Sequence, residues 1–80
     1  MIRFTKHAQE AISARDIAVD WIEAAVGAPD WMEPDPRYPD RIRSYEAIAE
    51  HGGRVLRVVH RPEGDDILII TVHFDRRARR

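Results

Sequence analysis

The feature that most constrains this chain lies in its last third. Arg54-Val55-Leu56-Arg57-Val58-Val59-His60 and Ile67-Leu68-Ile69-Ile70-Thr71-Val72-His73-Phe74 are rich in β-branched residues and are separated by Pro62-Glu63-Gly64-Asp65. Two such runs around a Pro/Gly turn read as a β-hairpin. A hairpin alone is marginal in water, so its apolar face needs a partner layer.

The rest of the chain supplies that layer. Thr5 reads as the N-cap of a helix over residues 6–15, with Ala8, Ala11 and Ile12 as its apolar stripe. Asp16 tolerates the left-handed conformation that ends a helix, and a second helix follows over about 18–26, with Ile17 stapled to Ile22. Trp21, Ile22 and Ala25 form its buried side, and Gly27 and Pro29 stop it. Asp30–Glu33 then reads as a short strand, Pro34–Asp40 as a proline-rich loop, Arg41–Ala47 as a second strand and His51-Gly52-Gly53 as a turn. The expected fold is α+β: an N-terminal αα-hairpin packed on a four-stranded antiparallel sheet, in the order ααββββ.

With 80 residues the chain forms a single domain, in which the basic tail 76–80 is expected to fray. The absence of cysteine excludes disulfides, thiol catalysis and cysteine-bound zinc. His7, His51, His60 and His73 lack close ligand spacing, and no glycine-rich phosphate loop or dinucleotide fingerprint occurs, so no metal or cofactor is expected. No apolar run approaches the roughly 20 residues that span a bilayer, and the N-terminus does not read as a signal peptide. A cytoplasmic protein with no membrane association is the expectation.

The net charge of −1 hides segregation: residues 1–15 carry +2, residues 16–40 carry −6 and residues 41–80 carry +3. The near-neutral total argues against indiscriminate coating of nucleic acid, yet a local basic face remains able to grip phosphate. Twelve of the 13 basic residues are arginine, which clamps phosphate bidentately. A GC-rich coding bias accounts for the same composition. The acidic block reads as a solvated face or as a docking surface for a basic partner.

A hairpin loop centred on Glu63-Gly64 pairs Arg54 with His73, Leu56 with Thr71 and His60 with Ile67. In that register Val55, Arg57, Val59, Leu68, Ile70, Val72 and Phe74 seat the helices, and Arg54, Thr71 and His73 gather on the open face. Arginine beside histidine suits a phosphodiester, because one neutralises charge and the other moves protons near neutral pH. A solvated polar sheet face is the plain alternative. His7 and Arg15 lie about 80° apart on the first helix and join the same anion site if that helix edge meets the rim of the sheet; the alternative is that His7 is a first-turn residue making a local hydrogen bond. Arg41, Arg43 and Tyr45 share one strand face, interleaving bases with an aromatic as nucleic-acid-tracking surfaces do. Trp21 and Trp31 read as core packing.

The segments Phe4-Thr5-Lys6-His7-Ala8, Arg15 with Ile17, Pro29-Asp30, Gly53–Val59 and Thr71–Asp75 together resemble a small bacterial and archaeal family described only as a domain of unknown function. That family resembles the RelE/ParE-like and BrnT-like toxins, many of which are metal-independent ribonucleases in toxin–antitoxin pairs. Relatives often carry Arg at position 11, Gly at 16 and Ser or Thr at 18, where this chain has Ala11, Asp16 and Ala18. The resemblance implies a toxin-like domain that binds or cleaves RNA and pairs with an antitoxin-like protein. Relatives often show an aromatic residue at position 73, so His73 is a candidate from the sheet pattern and not from the family; with it, Arg54 and His7 are the candidate catalytic residues, and Arg15, Arg41, Arg43 and Tyr45 are candidates for binding nucleic acid. A non-catalytic protein-interaction module is the alternative.

Overall fold

The hairpin forms. In a computed structural model, which describes residues 1–78, β4 (Arg54–Glu63) pairs antiparallel with β5 (Asp66–Phe74). Its tight turn is Gly64-Asp65, one residue later than the sequence pattern suggests, and Gly64 holds φ at +61°. Glycine in that first turn position matches the right-handed twist of the strands at little steric cost.

The chain before it runs β1 (Ile2–Phe4), α1 (Lys6–Arg15), α2 (Val19–Gly27), β2 (Trp31–Pro34), β3 (Ile42–Ile48) and a 3-10 turn (Ala49–His51). The fold is α+β with two helices packed against the sheet, but the sheet has five strands in the order β1-β5-β4-β3-β2. The strand absent from the four-strand expectation is β1, which pairs parallel with β5 through Ile2–Ile67 to Phe4–Ile69, so the sheet is mixed. Three residues are too short to show a period-two pattern, and a parallel partner 65 positions away leaves no local signature.

The helix boundaries follow local chemistry. Thr5 caps α1 by accepting the Ala8 N–H at 3.0 Å, and its hydroxyl also donates to the Ile70 carbonyl at 2.9 Å. Asp16 is left-handed at φ 53°, ψ 47°, while Ile17 N–H returns to the Ile12 carbonyl at 3.0 Å. That is a Schellman stop, with Ile17 itself buried. Ala18, at the start of α2, has the backbone of a cap and no side chain to complete it. Arg77 N–H bonds the Asp75 carboxylate at 2.9 Å, so the first tail residues form a turn. The remainder of the tail expected to fray, Arg79 and Arg80, lies outside the described residues.

Between Val59 and His60 the β4–β5 register shifts, leaving Ile70 as an extra residue in β5. This bulge decides which side each residue faces. Leu56 pairs with Phe74 and Val58 with Val72, whereas His60 pairs with Ile69 and Pro62 with Ile67. As a result Ile67, Ile69, Val72 and Phe74 all reach the helix side, which strict alternation forbids. They close a core with Ala8, Ala11, Ile17, Ile22, Ala25, Ile48, Leu56 and Val58. The expected helix seat, with Val55, Arg57 and Val59 inward, is therefore inverted in β4.

Candidate functional site

The register change relocates the expected site. Arg54 does not face His73; it pairs with Ile48 of β3, and Arg57 is the direct partner of His73. Arg54 instead turns to the helix side, with its guanidinium 4.5 Å from the Phe74 ring centroid and Nη1 3.0 Å from His51 Nε2. Trp21, His51 and Phe74 pack together there, with His51 stacked on Phe74 at 4.8 Å. A cavity of about 300 Å³ opens beside Arg54, Phe74 and Asp75. His7 is exposed in the first turn of α1, in the helix layer, so it does not join the group around His73.

What the fold assembles on the open face is different and denser. Trp31, Tyr45, Arg57 and His73 are direct neighbours across β2, β3, β4 and β5. The next row holds Glu33, Arg43, Val59 and Thr71. Arg57 Nη1 meets Asp75 Oδ2 at 3.2 Å, and Arg43 Nε meets Asp35 Oδ2 at 3.3 Å. Each guanidinium carries five N–H donors, so one carboxylate leaves several unspent. Arg57 Nε is buried and has no hydrogen-bond partner among the described residues. The Arg57 side chain keeps 21% of its surface in solvent, and its donors not taken by Asp75 are where an anion gains a charge-assisted bond.

Of the remaining candidates, Arg43 and Tyr45 lie on this face, and Arg15 does not belong to the sheet. Tyr45 is only 2% exposed, and its ring lies parallel to Trp31 at 4.7 Å. Burial raises the Tyr45 pKa, helped by Glu33 and opposed by Arg43 and Arg57, so the phenol stays protonated. Arg15 ends α1 and is exposed, and its charge reaches His73. Arg41 does not continue the Arg43–Tyr45 row; its guanidinium lies over the Tyr38 ring at 3.9 Å. The loop before β3 is fastened by Asp35, whose carboxylate accepts the Arg37 and Tyr38 N–H groups, and those bonds lower its pKa.

His73 is the titratable centre of the face. Burial lowers its pKa, and Arg57, Arg15 and Arg43 lower it further against the opposing pull of Asp75. The imidazole is therefore neutral near pH 7, the form that accepts a proton. A neutral base directly beside Arg57 can deprotonate a hydroxyl while the guanidinium holds an anion.

Arg57 carries no signal as a site residue in the sequence, because a turn placed one residue early and an unbulged β5 pair His73 with Arg54 and leave Arg57 on the helix side. Trp31 was read as core, yet it lies outside the helix-side core and stacks on the open face. Its signal was present: it opens an edge strand next to a proline-rich loop, where a core tryptophan has little to pack against.

Fold and site together define a small α+β domain whose open sheet face, opposite its helices, sets two ion-paired arginines beside a histidine. The chain matches the family model described as a domain of unknown function, DUF4258, over residues 4–74, and it belongs to that family. No curated protein and no solved structure matches it. Among the described residues no helix is long and apolar enough to cross a membrane.

Proposed function

We infer that the domain binds RNA through its open sheet face and cleaves it without a metal, as a toxin-like member of a toxin–antitoxin-type pair. The observation that carries this reading is the direct cross-strand pairing of Arg57 with a half-buried, neutral His73, with Arg43 in the adjacent row of the same face. A guanidinium directly beside a neutral imidazole suits a phosphodiester better than any neutral ligand.

In the reaction, His73 takes the proton of a ribose 2′-hydroxyl. The 2′ oxygen bonds to phosphorus as the bond from phosphorus to the 5′ oxygen breaks. The departing 5′ oxygen takes a proton from water, and the resulting hydroxide takes the proton held by His73. The products are a 2′,3′-cyclic phosphate and a 5′-hydroxyl. Arg57 and Arg43 offset the charge that builds on the phosphoryl oxygens, an effect worth several kcal/mol in such sites (about 3–4 for a single oxyanion donor).

The test compares wild type with Arg57→Ala and His73→Ala for cleavage of single-stranded RNA and for growth arrest on expression. Both variants should lose activity while their circular dichroism and melting stay those of a folded domain. If folded wild type neither binds RNA nor arrests growth, the reading fails. The domain is then better described as a protein-interaction module, with an antitoxin-like or other protein as its partner.

A further inference from the structure

We propose that Trp31 is a platform on which an unpaired base stacks, so that the ligand of the open face is single-stranded RNA laid across the strands rather than a duplex. This rests on the RNA reading above and makes it narrower. The argument begins with register. Trp31, Tyr45, Arg57 and His73 occupy matching positions on four consecutive strands. At ~4.8 Å per strand the row runs ~14 Å, with the aromatic end and the proton-accepting end at opposite limits and a guanidinium between them. A chain of alternating bases and phosphates laid along the row meets a ring first, then a cation, then the imidazole.

The aromatic pair is built for one role at a time. Tyr45 is almost fully buried, so its ring serves as the backing for the indole, which it meets at 4.7 Å and an interplanar angle of 7°. Trp31 keeps part of its surface in solvent, and β2 is the last strand of the sheet on that side. No further strand continues the stack beyond it. A base adds there as the next layer, at the cost of displacing only water. In a duplex both faces of each base are already stacked, and the ring offers such a ligand nothing.

The sequence row beside it gives direction. Glu33 and Arg43 flank the aromatic pair, and Arg43 is held by Asp35. Glu33 and Asp35 lie toward β2 and the loop, and Arg57 on β4 meets the single carboxylate of Asp75 and keeps further N–H donors. Phosphate therefore favours the Arg57 end, which leaves the base for the Trp31 end.

The experiment measures binding of a labelled eight-nucleotide RNA by fluorescence anisotropy. Three ligands are compared: the single strand, the same strand in a duplex, and a strand with abasic positions. Three proteins are compared: wild type, Trp31→Phe and Trp31→Leu, the last keeping apolar bulk without a π face. The expected result is a loss of about 5- to 150-fold for Trp31→Leu with the single strand, little loss for Trp31→Phe, and equal affinity of all three proteins for the abasic strand. Equal binding of the intact strand by wild type and Trp31→Leu, or a wild-type preference for duplex, overturns the proposal. Either outcome leaves the RNA reading standing if Arg57→Ala still loses binding. Should wild type bind none of the ligands, both fall together.

Discussion

Ser44 and His60 form a buried polar pair on the helix side of the sheet, and removing one partner is the sharpest test of how this domain is held together. Ser44 Oγ lies 2.8 Å from His60 Nε2, with the residues 0% and 7% exposed. Ser44→Ala leaves the imidazole nitrogen without a protein partner in a site with little access to water. That costs about 1–3 kcal/mol. A domain of this length has about 4–12 kcal/mol in total, so the loss is a large share of it. At about 4–8 °C per kcal/mol, the melting temperature should drop by about 5–20 °C. His60→Leu should cost a similar amount. The double variant should cost clearly less than the two losses combined, because no orphaned polar group remains. The pair also sets a pH dependence. Burial lowers the His60 pKa below its ordinary 6.5, so the unfolded chain binds the proton more readily. Stability is then fully present above pH ~6.5 and is lost as the pH falls from there through the folded-state value. His60→Leu should flatten that slope, the remainder coming from His73, whose pKa is lowered in the same direction. Calorimetry or urea unfolding between pH 5 and pH 8 measures all of this. Additive single losses, within about 0.5 kcal/mol, would refute the coupling. An unchanged pH slope in His60→Leu would refute the burial argument.

Three further outcomes follow from the geometry. Arg54→Ala should leave RNA binding unchanged, measured by anisotropy beside Arg57→Ala, because Arg54 sits against Phe74 and His51 on the other side of the sheet. Thr5→Ala should cost about 1–2 kcal/mol in urea unfolding, since it removes the cap of α1 and the hydroxyl that meets the bulged Ile70 carbonyl. Ala18→Ser should raise stability by about 0.5–2 kcal/mol, because position 18 already has cap backbone angles of φ −72° and ψ 134° and lacks only the side-chain acceptor.

How much of this was legible in the sequence depends on the range over which each element is decided. The span of α1, its threonine cap and its left-handed stop at Asp16 are local chemistry, and they stand where the residues place them. The β4–β5 hairpin and the two short strands around the proline-rich loop are local too, with the turn and both strands one residue later than the residues place them. What alternation could not give was the partner of β1 and the phase of β5. Ile67, Ile69, Val72 and Phe74 break period two, and a run of eight consecutive strand-formers conceals the break. Reading the run without a bulge sends Val72 and Phe74 to one face and Ile69 to the other. Together with a turn placed one residue early, that reading matches Arg54, and not Arg57, with His73.

The bulge at Ile70 is also the reason that core and site coexist in one strand. A straight β5 that buried Ile67 and Ile69 would turn His73 inward, against α1, where a neutral imidazole meets apolar side chains and no phosphate can reach it. The extra residue reverses the phase once, so that Val72 and Phe74 rejoin the core while Thr71 and His73 face out beside Arg57. An unpaired residue in a sheet leaves backbone groups to satisfy, and here the Ile70 carbonyl accepts the hydroxyl proton of Thr5. The same hydroxyl caps α1, whose last residue, Arg15, carries its charge to His73. A single threonine thus joins the helix start, the bulge and the orientation of the histidine. The parallel pairing of β1 with Ile67–Ile69 brings that threonine within reach. On this account the short N-terminal strand acts on the site at a distance, through the register it imposes on β5.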